Sequence, residues 1–242
     1  MNSNNGQFNL SRRNSLKFVA GAIGTGILAA GAGAELAAPE PVIAQTPATP
    51  DEALQLLVQG NQRFANNMRQ FPNQDFTRIA QVAPSQAPFA AILGCADSRF
   101  PPEILCDRGF GDIFVCRVAG NVATPEEIGS LEFAALVLGV KVILVIGHEN
   151  CGAVKAALQG GTLPGEIGSL TQAIQPAVAN VPGEGDQKVA NAVRANIRLQ
   201  ANRCKASPVI DQLIQQGTLK VFGAYYDLDT ALLEILPAAW MA

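Results

Sequence analysis

Five consecutive apolar residues, Val142 to Ile146, run into Gly147 and then into His148, the only histidine among the 242 residues. A continuous apolar run, as opposed to an alternating one, belongs to a strand covered on both faces, so the segment predicts an interior strand of a parallel sheet. Cys151-Gly152-Ala153-Val154-Lys155-Ala156-Ala157-Leu158 then reads as the opening of a helix. His148 and Cys151 therefore stand at the carboxyl end of a strand and in the first turn of the next helix. That is the edge at which open α/β sheets build their sites.

The rest of the body supports this sheet. Helical spacing is expected from Pro50 to Phe64, over Pro125–Leu138, across the region Glu166 to Ala206 and over Pro208–Gly217. Strands are expected at Pro88–Gly94, Asp112–Val118 and Leu219–Tyr226, with Pro101-Pro102 stopping any continuation after the first and a terminal helix at Asp229–Leu236. Strands alternating with helices give an α/β fold class: a mostly parallel β-sheet of about four or five strands flanked by helices. The helix from Asp51 to Phe64 is amphipathic and is expected to pack on a partner or on the back of the domain. The length suits one domain plus a tail, and 48% hydrophobic residues can form a substantial core. A net charge of −3 leaves no basic footprint, which excludes a nucleic-acid partner on electrostatic grounds. Five cysteines in unrelated contexts do not make a disulfide framework. There is no internal repeat and no Gly-rich phosphate loop.

The first 44 residues form a separate unit. Ser11-Arg-Arg-Asn-Ser-Leu-Lys17 precedes an acid-free apolar run, Phe18 to Ala34, and resembles a twin-arginine export signal. Val42-Ile43-Ala44 offers a small-residue cleavage site, so the mature domain, residues 45–242, is expected to begin near Gln45 in a periplasmic or other extracytoplasmic space. A retained membrane anchor is the alternative, since the run approaches the roughly 20 residues that span a bilayer. Its five glycines and many alanines favour removal, and no stable anchor is expected after processing.

Cys95 closes the first expected strand as the pair His148 and Cys151 closes another, so three ligands can converge at one sheet edge. Cys₂His with an open position is a catalytic zinc arrangement, whereas a closed structural site would need Cys106, Cys116 or Cys204 as the fourth ligand. Zinc would lower the pKa of a ligated water from 15.7 toward roughly 7 and supply a nucleophile at neutral pH. Asp97 and Arg99 follow in the same loop. Arg99 can hold Asp97 ionised and away from the metal through a bidentate pair, leaving the carboxylate free to orient the nucleophile. The alternative is a salt bridge that only stabilises the loop.

Cys95-Ala-Asp-Ser-Arg99, Arg117-Val-Ala-Gly-Asn121, Gly129-Ser-Leu-Glu-Phe133 and Gly147-His-Glu-Asn-Cys-Gly-Ala-Val154 together resemble the successive blocks of a β-class carbonic anhydrase of the plant-like branch. The water pKa quoted above is the figure established for carbonic anhydrases with three histidine ligands, a different scaffold. The resemblance implies reversible hydration of CO₂ to bicarbonate and a proton. It implies one Zn²⁺ per subunit on Cys95, His148 and Cys151, with Asp97 and Arg99 as the catalytic dyad. Gln86, Phe114 and the backbone N–H of Gly152 match substrate-binding positions. It also implies a homodimer or a higher homo-oligomer whose pocket residues cross the interface, with the Asp51–Phe64 helix as an exchange arm. Phe133 and Ala119 depart from the Tyr and Val of that branch, and Trp240 sits too late to form the regulatory trio of the other branch. A CS₂ or COS hydrolase on the same zinc site and a non-catalytic zinc-holding scaffold are the competing functions. Without a second histidine, product protons must leave through water, buffer or groups such as Tyr225 and Tyr226, which suit the task poorly.

Overall fold

The computed structural model describes residues 47–237, so the expected export signal and Trp240 lie outside the described residues. Five strands form one sheet: β1 Ala90–Gly94, β2 Ile113–Arg117, β3 Val142–His148, β4 Lys220–Tyr226 and β5 Leu233–Ile235. Their spatial order is β2-β1-β3-β4-β5, and only β5 runs antiparallel to its neighbour. From β1 the chain steps outward to β2 and then returns past β1 to β3. The carboxyl ends of β1 and β3 therefore flank the point where the winding reverses, where such sheets open a crevice.

β1 and β3 are buried at every position, as their continuous apolar runs require. Successive residues feed opposite cores. Ala91, Leu93, Ile143 and Val145 meet α4 (Pro125–Leu136), α5 (Gly152–Gln159), α6 (Ile167–Val178), α7 (Gly185–Lys205) and α8 (Pro208–Gln215) on one face. Ala90, Ile92, Val142, Leu144 and Ile146 meet α1 (Pro50–Ala65), α3 (Pro102–Leu105) and Phe100 on the other. The expected helical region 166–206 is thus two helices, broken at Pro182-Gly183, where Gly183 takes φ 102°. A further short helix, α2, covers Phe76–Val82. Among the described residues no helix is long and apolar enough to cross a membrane.

The first strand ends before Pro101-Pro102 as expected, and Pro102 occupies the first turn of α3, where a missing N–H costs nothing. One expectation is corrected. The expected terminal helix at Asp229–Leu236 is instead a turn followed by β5. Asp227 Oδ1 accepts the Thr230 backbone and hydroxyl donors at 2.8 and 2.9 Å, and the Asp227 N–H donates to the Leu232 carbonyl. Asn61, from α1, then accepts the Leu233 N–H at 2.8 Å and donates to the Ala231 carbonyl at 2.9 Å. These bonds use backbone groups that a helix would need, and a partner 172 residues away in sequence supplies the decisive one.

α1 rests on its own domain. Thr49 and Glu52 close a capping box at its start, and Ala53, Leu57, Gly60 and Asn61 are buried against β3 and α3. Gly60 approaches so closely that a Cβ there would stand 1.8 Å from the Cys106 carbonyl oxygen. Gly60→Ala is expected to push α1 outward and to destabilise the domain by about 1–3 kcal/mol, the usual cost of overpacking. Equilibrium urea unfolding checks this, and an unchanged midpoint would contradict the docking described.

Candidate metal centre

Cys95 is the first residue beyond β1, His148 the last of β3, and Cys151 the N-cap of α5. All three are buried, and their ligand atoms lie within 4.8 Å of one another. His148 Nδ1 faces the Glu149 carbonyl at 2.8 Å, which makes it the protonated nitrogen and leaves Nε2 as the lone-pair donor. That Nε2 is buried with no hydrogen-bond partner, a condition a folded protein tolerates only where something else fills the gap. Phe100 stacks on the imidazole with ring centroids 6.3 Å apart and fixes its tilt.

The two thiols form a pair that shares one proton. The Cys151 thiol beside Cys95, helped by His148 and the Gly120 N–H, outweighs burial and holds Cys95 below the ordinary thiol range. Cys95 reciprocally pushes Cys151 far up. Binding of a divalent cation must displace the Cys151 proton, so metal and proton compete for the site. Two sulfurs and an imidazole nitrogen suit a borderline cation and leave room for a fourth ligand.

Asp97 and Arg99 adopt the expected pairing. Asp97 Oδ1 accepts from the Arg99 backbone N–H at 2.8 Å and Nε at 3.0 Å, while Oδ2 accepts from Nη2 at 2.9 Å. The Arg99 guanidinium thereby holds the Asp97 carboxyl down to about 2. Asp97 Oδ2 stands 3.7 Å from His148 Nε2, beyond hydrogen-bond range. Arg117, not singled out by the sequence reading, pins this loop from β2: Nε donates to the Cys95 carbonyl at 2.9 Å and Nη2 to the Asp97 carbonyl at 2.6 Å. The exposed residues Ala96, Ser98, Arg99 and Gly152 border the site and open it to solvent.

Gln86 and Phe114 are not brought to this cluster within the chain. Gln86 is exposed in the loop before β1, at the opposite edge of the sheet. Phe114 pairs with Ala91, four residues short of Cys95, or about 13 Å along the strand. The other cysteines stay apart from the cluster: burial pushes Cys106 and Cys204 up to about 12 and Cys116 up to about 11. Tyr225 and Tyr226 are 4% exposed, packed against Arg194 and Phe100, and burial raises both phenols further.

Residues 90–233 match the family model described as carbonic anhydrase. The chain belongs to the β-carbonic anhydrases. Carbonic anhydrase 2 of Mycobacterium tuberculosis is 38% identical over 185 residues, which cover 74% of this chain and 89% of that protein. A Coccomyxa β-carbonic anhydrase, solved in complex with acetazolamide, superimposes with a TM-score of 0.62 at 31% identity, covering 76% of this chain and 86% of that one. A tetrameric β-carbonic anhydrase from Sordaria macrospora shares the fold at a TM-score of 0.63 and 23% identity, over 76% of this chain and 97% of that one. The match to this β-carbonic anhydrase family spans all four sequence blocks from Cys95 to Val154.

The geometry separates ligands from spare cysteines. Cys95→Ser or Cys151→Ser is expected to reduce bound divalent metal to near zero, whereas Cys106→Ala and Cys204→Ala retain about one equivalent per chain. Metal analysis of the purified variants reads this directly, and full retention in Cys151→Ser would contradict the assignment.

Proposed function

We propose that this β-carbonic anhydrase hydrates CO₂ reversibly to bicarbonate and a proton, on one zinc ion per subunit held by Cys95, His148 and Cys151. The observation that carries the reading is the buried, unpartnered Nε2 of His148 facing two sulfurs, with a carboxylate 3.7 Å away that is fully engaged by arginine. Zinc, when bound, makes water a competent nucleophile at neutral pH. The chain supplies everything around that step. Asp97, kept ionised by Arg99, presents Oδ2 as a fixed acceptor that orients an O–H group in the open position. Because both its oxygens are committed to Arg99, Asp97 is also held from swinging into that position itself. Gly152, exposed at the first turn of α5, offers a backbone donor to the oxygens of the product.

Gln86 and Phe114 complete the pocket in this reading as contributions from a second copy of the chain. Support comes from β2, an edge strand whose outer side no other described strand pairs, and from the exposed Ile104 and Phe110 beside it. α1 covers its own sheet, so an interface through β2 explains the pocket better than exchange of that helix. The paired Arg12-Arg13 and the acid-free run to Ala34 support export of the domain by a removable signal.

Protons leave by buffer, since among the described residues the two tyrosines near β4's end are buried and His148 faces the ligand cluster. Asp97 has a depressed pKa, so its carboxylate contribution is present above the ordinary carboxylate range and is lost only as pH falls toward about 2. Activity above pH 5 is thus expected to show no limb from Asp97. In stopped-flow CO₂ hydration, Asp97→Ala is expected to lose about 100-fold in kcat/KM with its metal retained, and wild-type kcat to rise with buffer concentration. An inert wild type with full zinc, or an unimpaired Asp97→Ala, would overturn the reading.

A further inference from the structure

A buried polar relay connects the metal centre to the far side of the helical layer. The Gly120 N–H donates to Cys95 Sγ at 3.3 Å. Gly120 adopts φ 75° in the short 3-10 turn Ala119–Asn121, and a Cβ there would stand 2.6 Å from Ile174 Cδ1, so conformation and space both demand glycine. Its carbonyl accepts from Asn196 Nδ2 at 2.9 Å. Asn196 Oδ1 accepts from Gln200 Nε2 at 2.8 Å, one helical turn further along α7. Gln200 Oε1 in turn accepts the Ala123 N–H at 3.0 Å and Arg203 Nη1 at 3.1 Å.

Asn196 and Gln200 are both fully buried, on a helix face otherwise formed by Ala192, Val193, Ile197, Ala201 and Cys204. Two amides in such surroundings are costly unless their bonds are made, and here they clamp both ends of the turn that aims the Gly120 N–H. A donor on a ligating sulfur withdraws charge from it and holds its direction, the usual means by which outer residues tune a metal centre.

We propose that Asn196 and Gln200 are positioning residues of the metal centre, acting through the Ala119–Ala123 turn to direct the Gly120 N–H onto Cys95 Sγ and so to set the charge that sulfur presents to the metal. The inference rests on the metal assignment proposed above. It adds a pair of side chains more than 70 residues from Gly120 in sequence to the machinery of the site.

The test uses the full chain loaded with cobalt(II) in place of zinc, read by its near-ultraviolet sulfur-to-cobalt charge-transfer absorption and by chelator competition. Asn196→Asp keeps the acceptor for Gln200 but removes the donor to Gly120. It is expected to move the charge-transfer band to lower energy and to weaken metal binding by about 10–100-fold. Asn61→Asp, which breaks a buried asparagine on the opposite face of the sheet, is expected to lower the melting temperature while leaving band and affinity as in the wild type. If Asn196→Asp does not fold, Gln200→Glu is read in the same way, since it removes the donor that orients Asn196. A folded variant with wild-type band and affinity, or an equal shift in Asn61→Asp, overturns the proposal. A wild type that gives no such band overturns the metal assignment itself and is distinguishable from either result.

Discussion

Two thiols and an imidazole gathered within 4.8 Å at the buried edge of a sheet are a liability without a cation. Each loses hydration on burial, and His148 Nε2 is left without a hydrogen-bond partner. The surrounding structure is arranged to hold this cluster and not to relieve it. The register that aligns Gly94 with Ile146 places Cys95 one residue and His148 two residues beyond that pair, and Phe100 stacks on the imidazole. Arg117 and Gly120 tie the loop after β1 to the end of β2 and the turn beyond it. The protein keeps a preformed set of donors, and a bound divalent cation would recover the free energy that the cluster costs.

The same economy explains the dyad. A carboxylate beside a cation would ordinarily bind it. Arg99 takes both Asp97 oxygens, which in the proposed function would keep the carboxylate off the metal, and Arg99 itself is half exposed. An exposed ion pair contributes little to stability, so its geometry is better accounted for by what it withholds from the metal position than by the strength it adds to the fold.

The sequence makes the ligand set legible because each ligand sits where a local pattern ends: Cys95 after Pro88–Gly94, His148 after Val142–Gly147, Cys151 at a helix start. The four blocks from Cys95 to Val154 carry the family for the same reason, since they are short and contiguous. What escaped is long-range. Arg117 opens one of those blocks, but its bonds to the Cys95 and Asp97 carbonyls exist only because β2 is paired beside β1. Asn196 and Gln200 read as polar interruptions of an amphipathic helix, and only the folded turn at Gly120 gives them partners. The terminal helix was expected from local composition, and β5 forms instead because Asn61 in α1 captures the Leu233 N–H. The short apolar segment Leu232–Leu236 suits either structure locally, and a distant side chain decides between them.

In the proposed site the chain supplies two sulfurs and one nitrogen to a cation and leaves one position open. X-ray absorption at the zinc edge of the loaded full chain is expected to show two sulfur scatterers at about 2.3 Å and two lighter ones at about 2.0–2.1 Å. Three or four sulfurs, which would bring Cys106, Cys116 or Cys204 into the shell, would contradict it.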